Sequence, residues 1–166
     1  MRRDEIINGY RILQDFTSAG GGLSKWTFAE KGGKEYFIKE FLHPTWPLPK
    51  APGSERIKIR KRKECEEFES HQNALMHAIS SQNIQGGNLI STLDFFRWGA
   101  KYHKVTDKVD VAGMKPAEIG KLDLSHRILI MTTVAHSLRI LHKLEIVHGD
   151  LKVDNVLIKK TKMGSF

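Results

Sequence analysis

Between His43 and Ser54 the chain carries Pro44, Pro47, Pro49 and Pro52, four of its five prolines, followed by Gly53. Proline fixes φ and lacks an amide donor, so residues 43–54 can be neither helix interior nor central strand. The segment is a linker loop, and the sequences on its two sides differ in kind. Before it, apolar and polar residues alternate in short runs; after it, from Glu55, apolar residues return at helical spacing.

The runs before the linker read as a three-strand meander. Residues 1–7 form a polar lead-in, and a strand-like run from Tyr10-Arg11-Ile12-Leu13 reaches Asp15-Phe16. Residues 25–30 form the next strand, Gly32-Gly33 turn the chain, and Glu35-Tyr36-Phe37-Ile38-Lys39-Glu40-Phe41 return it. Between the first two strands lies Thr17-Ser18-Ala19-Gly20-Gly21-Gly22-Leu23-Ser24. Glycines in such a loop let backbone amides approach phosphate oxygens, although an ordinary flexible hairpin would look the same. Lys39 follows three apolar residues, so its stem can cross the sheet and carry an ammonium to an anion.

Beyond the linker, Phe68, Gln72, Leu75, Met76 and Ile79 trace one face of a helix over residues 55–80. Gly86-Gly87 break it, and residues 89–96 and 102–109 read as two further strands around a turn near Gly99. A loose connector over 111–122, holding at most a short helix, leads to a helix over 125–143 with Ser125 as N-cap. Its face of Ile128, Met131, Ala135, Leu138 and Leu141, widened by Ile130 and Val134, predicts a largely buried helix. His136 and His142 lack companions at ligand spacing and read as ordinary surface or core histidines.

That helix delivers the chain to His148-Gly149-Asp150-Leu151-Lys152-Val153-Asp154-Asn155 and the apolar run Val156-Leu157-Ile158. In H-x-D-x-K-x-x-N, Asp150 can accept a proton from an attacking hydroxyl, Lys152 can hold a transferring phosphate, and Asn155 can offer an amide oxygen to a metal ion. A turn between helix and strand also favours Asp and Asn, but does not require an acid, a lysine and an amide at these offsets.

Glycine loop, strand lysine and late acid-lysine-amide loop occur here in the order found in protein kinases, and the chain resembles that family, in its serine/threonine type. The resemblance implies an α+β fold: a kinase N-lobe of five antiparallel strands and one long helix over 1–109, then a helical C-lobe over 110–166, truncated after the catalytic loop 148–155. It implies that Gly20, Gly21 and Gly22 flank the ATP phosphates and that Lys39 holds them while pairing with a glutamate of the regulatory helix. Counting from Leu75 and Met76 puts His71 or Gln72 at the family position. Glu64, Glu67 and Glu69 are the acidic candidates, with Glu69 preferred. Thr106 would guard the back of the adenine pocket, and Asp107 to Val109 would be the hinge. Asp150, Lys152 and Asn155 become the catalytic set, with Asn155 a Mg2+ ligand.

Departures matter as much. Trp26 stands where the family has a valine and Phe37 where it has a small alanine, so the adenine slot is expected to be narrow and ATP affinity weak. Gly149 replaces the arginine that clasps a phosphorylated activation loop. Lys152 favours the serine/threonine kinases over small-molecule phosphotransferases, which usually place histidine there. The family's Asp-Phe-Gly does not appear before Phe166, so transfer of the ATP γ-phosphate to a protein hydroxyl is expected of a longer kinase and not of this stretch. The alternative is a non-catalytic, pseudokinase-like interaction module, with a second copy or another subunit covering the apolar side of helix 125–143.

The formal net charge of +8 is concentrated in Arg56-Ile57-Lys58-Ile59-Arg60-Lys61-Arg62-Lys63. Glu64, Glu66, Glu67 and Glu69 follow at once, so the run reads as a solvated, ion-paired helix face in preference to a nucleic-acid site. The apolar stretch from Ile128 to Leu141 is interrupted by Thr132, Thr133, His136, Ser137 and Arg139, and Asp4 and Glu5 break any signal-peptide core, which argues against a membrane partner. The single cysteine, Cys65, cannot form an internal disulfide, which suits the cytoplasm.

Overall fold

Ile38, with no exposed surface, sits in the strand on which the sheet is centred. The computed structural model describes residues 2–19, 22–81, 88–109, 116–148 and 151–158. Residues 1–81 and 90–108 make one compact unit, and residues 82–89 and 109–166 a second. The first is built on a six-stranded antiparallel sheet: β1 (Ile6–Ile7), β2 (Tyr10–Ile12), β3 (Ser24–Lys31), β4 (Lys34–Phe41), β5 (Thr92–Trp98) and β6 (Lys101–Asp107), in the spatial order β1-β2-β3-β4-β6-β5. One helix, α1 (Glu55–Ser81), accompanies it.

The sixth strand is β1, which the polar lead-in had concealed. Asn8 and Gly9 join it to β2, with φ of 48° and 82°. Positive φ at both central residues is the signature of a type I′ hairpin, and Asn-Gly is its preferred sequence. Gly32 and Gly33, at 62° and 78°, make the same turn between β3 and β4, as expected. Pairing of β5 begins at Thr92, three residues later than the pattern suggests, with an irregularity between Thr92 and Asp94.

Alternation along β4 gives the sheet two faces. Ile38 points with Ile7, Tyr10, Ile12, Ala29 and Val105 into the core, where Phe16, Tyr36 and Phe96 pack at the margin. Tyr10 lies parallel to Phe96 at 6.1 Å and edge-on to Tyr36 at 5.4 Å. Its hydroxyl donates to Asp94 at 3.2 Å, and burial together with that carboxylate pushes its pKa up to about 12. Buried polar side chains share this face, among them His103 and Glu40. His103 is fully buried, stacked on Phe96 at 5.3 Å, with Nε2 3.4 Å from the Glu40 carboxylate. The His103 ring facing it, together with the nearby Lys25 and Lys101 ammoniums, holds the Glu40 carboxyl below its ordinary range despite burial.

The opposite face carries α1. Phe68 meets Phe41, Phe95 and Tyr102 at 5.2, 5.8 and 5.4 Å. One turn earlier, Cys65 is wholly buried, and its carbonyl accepts from the Tyr102 hydroxyl at 3.4 Å. Burial pushes the Cys65 thiol up, so it acts as a small core residue. On the outer side, Arg60 pairs with Glu64 and Lys63 with Glu67, the solvated arrangement read from the sequence, while Lys58, largely covered, pairs with Glu55 and donates to the Pro49 carbonyl. The proline segment is pinned by its own ring and amide: Trp46 donates to the Ala100 carbonyl at 2.9 Å and lies 4.6 Å under the Arg97 guanidinium.

In the second unit, α2 (Pro116–Ile119) precedes α3 (Leu124–Lys143), and a 3-10 turn spans Val153–Asn155. The N-cap of α3 is Asp123, not Ser125: its carboxylate accepts from the His126 amide at 3.0 Å, and that donor holds its pKa low. Nor is α3 largely buried. Ser137 and Leu141 are its buried residues, whereas Ile128 and Met131 are 56% and 69% exposed. The covered stripe runs through Ile130, Val134, Ser137 and Leu141, rotated from the expected one because Ser137, a polar residue, faces inward by bonding the Thr133 carbonyl at 3.1 Å. Among the described residues no helix is long and apolar enough to cross a membrane.

Truncating Ile38 to alanine should cost about 3 kcal/mol, since strands on both sides of β4 prevent the cavity from collapsing; urea unfolding measures it. Glu40 has a depressed pKa in the folded state, so its contribution is complete above about 4.5 and is lost as pH falls through the folded value. Glu40→Gln should therefore melt lower than the wild type at pH 7, with the gap closing as pH falls below 4.5.

Candidate functional site

The α1-facing side of the sheet gathers the residues that the sequence singles out near the strand lysine. Register sorts them into rows, because residues directly opposite one another in antiparallel strands point the same way. Phe28 on β3, Phe37 on β4 and Thr106 on β6 form one row. Two residues along the strands, about 7 Å away, Trp26, Lys39 and Lys104 form the next. Phe95 of β5 continues it beyond Lys104.

The aromatic residues of the two rows pack on one another. Phe37 stacks on Trp26 with centroids 5.7 Å apart and planes at 27°, and meets Phe28 edge-on at 6.0 Å. The ring that stands in place of a small side chain is thus built into an aromatic cluster. Thr106 is buried at 8% exposure beside it, its hydroxyl 3.3 Å from the Asp107 carbonyl.

Trp26 also holds the start of the glycine loop. Its backbone exchanges hydrogen bonds with Thr17 at 2.9 and 3.0 Å, and its indole N–H donates to the Ala19 carbonyl at 2.8 Å. Gly22 has φ of 56°, a left-handed conformation that favours glycine. Gly20 and Gly21 lie outside the described residues.

Lys39 is half-buried, with its ammonium 5.7 Å from the centre of the Phe41 ring. The expected pair with Glu69 is not made. Among the described residues no carboxylate lies within ion-pair distance of Lys39, and Glu69 instead accepts from the Tyr102 hydroxyl at 3.4 Å. Helical geometry explains the difference: Glu69 adjoins Phe68, whose ring seats on Phe41, Phe95 and Tyr102, so its carboxylate arrives at Tyr102. Lys104, which no sequence pattern singles out, lies opposite Lys39, and burial and then the Lys39 charge push its pKa down. A lysine paired across strands with another lysine is visible only once register is known.

The hinge candidates close the row of Thr106. Asp107 is exposed and bonds Lys34 at 2.6 Å, and Lys108 pairs with Glu35 while lying 5.0 Å over the Phe28 ring. These pairs tie the end of β6 to the start of β4. Val109 follows, half-buried. In the second unit, Lys152 and Asn155 are exposed; Lys152 caps the start of the 3-10 turn and Asn155 is its last residue, whose backbone amide donates to the Lys152 carbonyl at 3.0 Å. Asp150, with Gly149, lies outside the described residues. Among those described, no three histidine, cysteine, aspartate or glutamate side chains converge as a metal site.

No family profile matches the chain. Protein kinase kin1 of Schizosaccharomyces pombe is 26% identical to it over 164 residues, which are 96% of this chain and 18% of that protein. The crystal structure of Rad53 1-466 in complex with AMP-PNP matches its fold with a TM-score of 0.64 at 17% identity, covering 90% of this chain and 34% of that one. This chain therefore spans under a fifth of the curated relative and about a third of the solved structure. With the antiparallel sheet, α1 on its face and a central strand lysine, these likenesses give the chain a protein-kinase-like fold of the N-lobe type.

Proposed function

We propose that this chain supplies the nucleotide-holding part of an ATP-dependent, cytoplasmic phosphotransferase of the serine/threonine protein kinase type, acting in its full form on a protein hydroxyl. The observation that carries the reading is Lys39: a half-buried ammonium at the centre of the sheet, without a carboxylate partner among the described residues, one row from Thr106 and the hinge strand. A cation in that state suits a phosphate. Kinases in general place the base beside the hinge and the phosphates at this lysine. Asp150 would orient the acceptor hydroxyl, Lys152 would hold the transferring phosphate, and magnesium, with Asn155 among its ligands, would neutralise charge on the phosphates.

Phe37, held by its stack on Trp26, occupies the row where a base would lie, so affinity should be low. Calorimetry with AMP-PNP should show weak binding that Phe37→Ala tightens about tenfold and Lys39→Met abolishes. Labelled ATP should give no phosphoprotein with the chain as it stands. Unchanged or weaker binding in Phe37→Ala removes the obstruction, and binding that survives Lys39→Met removes the nucleotide reading.

A second reading, a non-catalytic interaction module, is favoured by α3, where Leu124, Ile128, Leu129 and Met131 are all more than half exposed. On this reading a second copy or a partner subunit covers that face. Sedimentation should then show self-association that Ile128→Asp with Met131→Asp abolishes; a monomer at all concentrations leaves a different subunit as the cover.

A further inference from the structure

We propose that Lys104 is a second phosphate-binding residue, and that Lys39 and Lys104 together form a two-ammonium site for the polyphosphate of a nucleotide. The inference rests on the nucleotide reading above and adds to it the residue that completes the anion site.

Three observations carry it. Lys39 and Lys104 are directly opposed in register on adjacent strands, both half-buried, on the face that also carries Thr106 and Phe37. Like charges directly opposite one another destabilise a sheet, and natural sheets usually avoid them. Here the two are flanked by Trp26 and Phe95, which offer no counter-charge.

The neighbouring carboxylates are committed elsewhere. Glu35 pairs with Lys108, Asp107 with Lys34, Glu40 with His103 on the core face, and Glu69 accepts from Tyr102. Among the described residues, neither ammonium has a carboxylate within ion-pair distance. The lowered pKa of Lys104, set by burial and by the Lys39 charge, is a further sign that the pair is held in mutual repulsion. A single multivalent anion relieves that repulsion and bonds both groups. Local departures of this kind, in which a fold keeps an unfavourable contact, concentrate at binding sites.

The geometry also fits one kind of anion better than another. The lysine row lies two residues along the strands from the row of Phe28, Phe37 and Thr106, about 7 Å away. A ligand with a flat apolar group on the aromatic row and a chain of phosphates on the lysine row spans both.

The test is calorimetry with inorganic tripolyphosphate and with AMP-PNP, on the full chain and on Lys39→Met, Lys104→Met, Lys104→Arg and the double methionine variant. Tripolyphosphate should bind the wild type, weaken at least fivefold in either methionine variant, and recover in Lys104→Arg. Melting temperatures are read alongside, and Lys104→Met, which removes the like charge, should melt no lower than the wild type. In the wild-type protein, tripolyphosphate should protect Lys39 and Lys104 from amine acylation, mapped by peptide mass spectrometry, and leave exposed Lys61 unprotected. Absence of tripolyphosphate binding, or equal labelling of Lys104 with and without it, overturns the proposal. If AMP-PNP binding depends on Lys39 and is indifferent to Lys104, the proposal fails and the nucleotide reading stands. If tripolyphosphate binding needs both lysines and AMP-PNP binds no better, the two-lysine site stands and the nucleotide reading fails.

Discussion

The register of β4 between β3 and β6 is the constraint from which the rest follows. Its backbone is paired on both edges, from Ser24↔Phe41 to Lys31↔Lys34 on one side and from Tyr36↔Asp107 to Glu40↔His103 on the other. A slip of one residue would exchange Ile38 for Lys39, moving an ammonium into the apolar core and an isoleucine onto the site face. The hydrophobic free energy of the Ile38 cluster and the placing of Lys39 are thus one fact seen from two sides. At the start of β4 the Gly32-Gly33 turn fixes that register against β3, and the ion pairs of Lys34 and Glu35 with Asp107 and Lys108 fix it against the end of β6.

The parts that were legible in the sequence are those governed by local rules. Alternation marked β3 and β4, prolines marked the linker, and helical spacing marked α1, whose seat at Phe68 was visible as the start of the apolar stripe. The strand from Tyr10 is legible, but β1 before it is not, although Asn8-Gly9 announces the turn between them, because Ile6–Ile7 is too short for alternation to register. Helix α3 was found, but with its covered stripe rotated, because an inward Ser137 carries no apolar signal.

The site shows a sharper division. Lys39 and Thr106 could be placed by position along the chain, and register brings the two to one face, whereas the hinge candidate Asp107, opposite Tyr36, belongs to the other. That Glu69 meets Tyr102 and not Lys39 could not be read this way, because it depends on how α1 rotates about Phe68. Lys104 was silent for the same reason, since its meaning comes wholly from the residue across from it. Pairwise facts of this kind are properties of register and docking, which no single segment encodes.

Trp26 touches several of these parts at once: its indole N–H holds Ala19, its ring stacks on Phe37, and Lys39 lies opposite it. Of the three tryptophans, Trp26 alone is paired within this row; Trp46 lies under Arg97 and Trp98 is 43% exposed near a turn. The protein therefore carries its own optical probe. A ligand that displaces Phe37, or that sets charge between Lys39 and Lys104, alters the surroundings of one indole and leaves the other two as an internal reference.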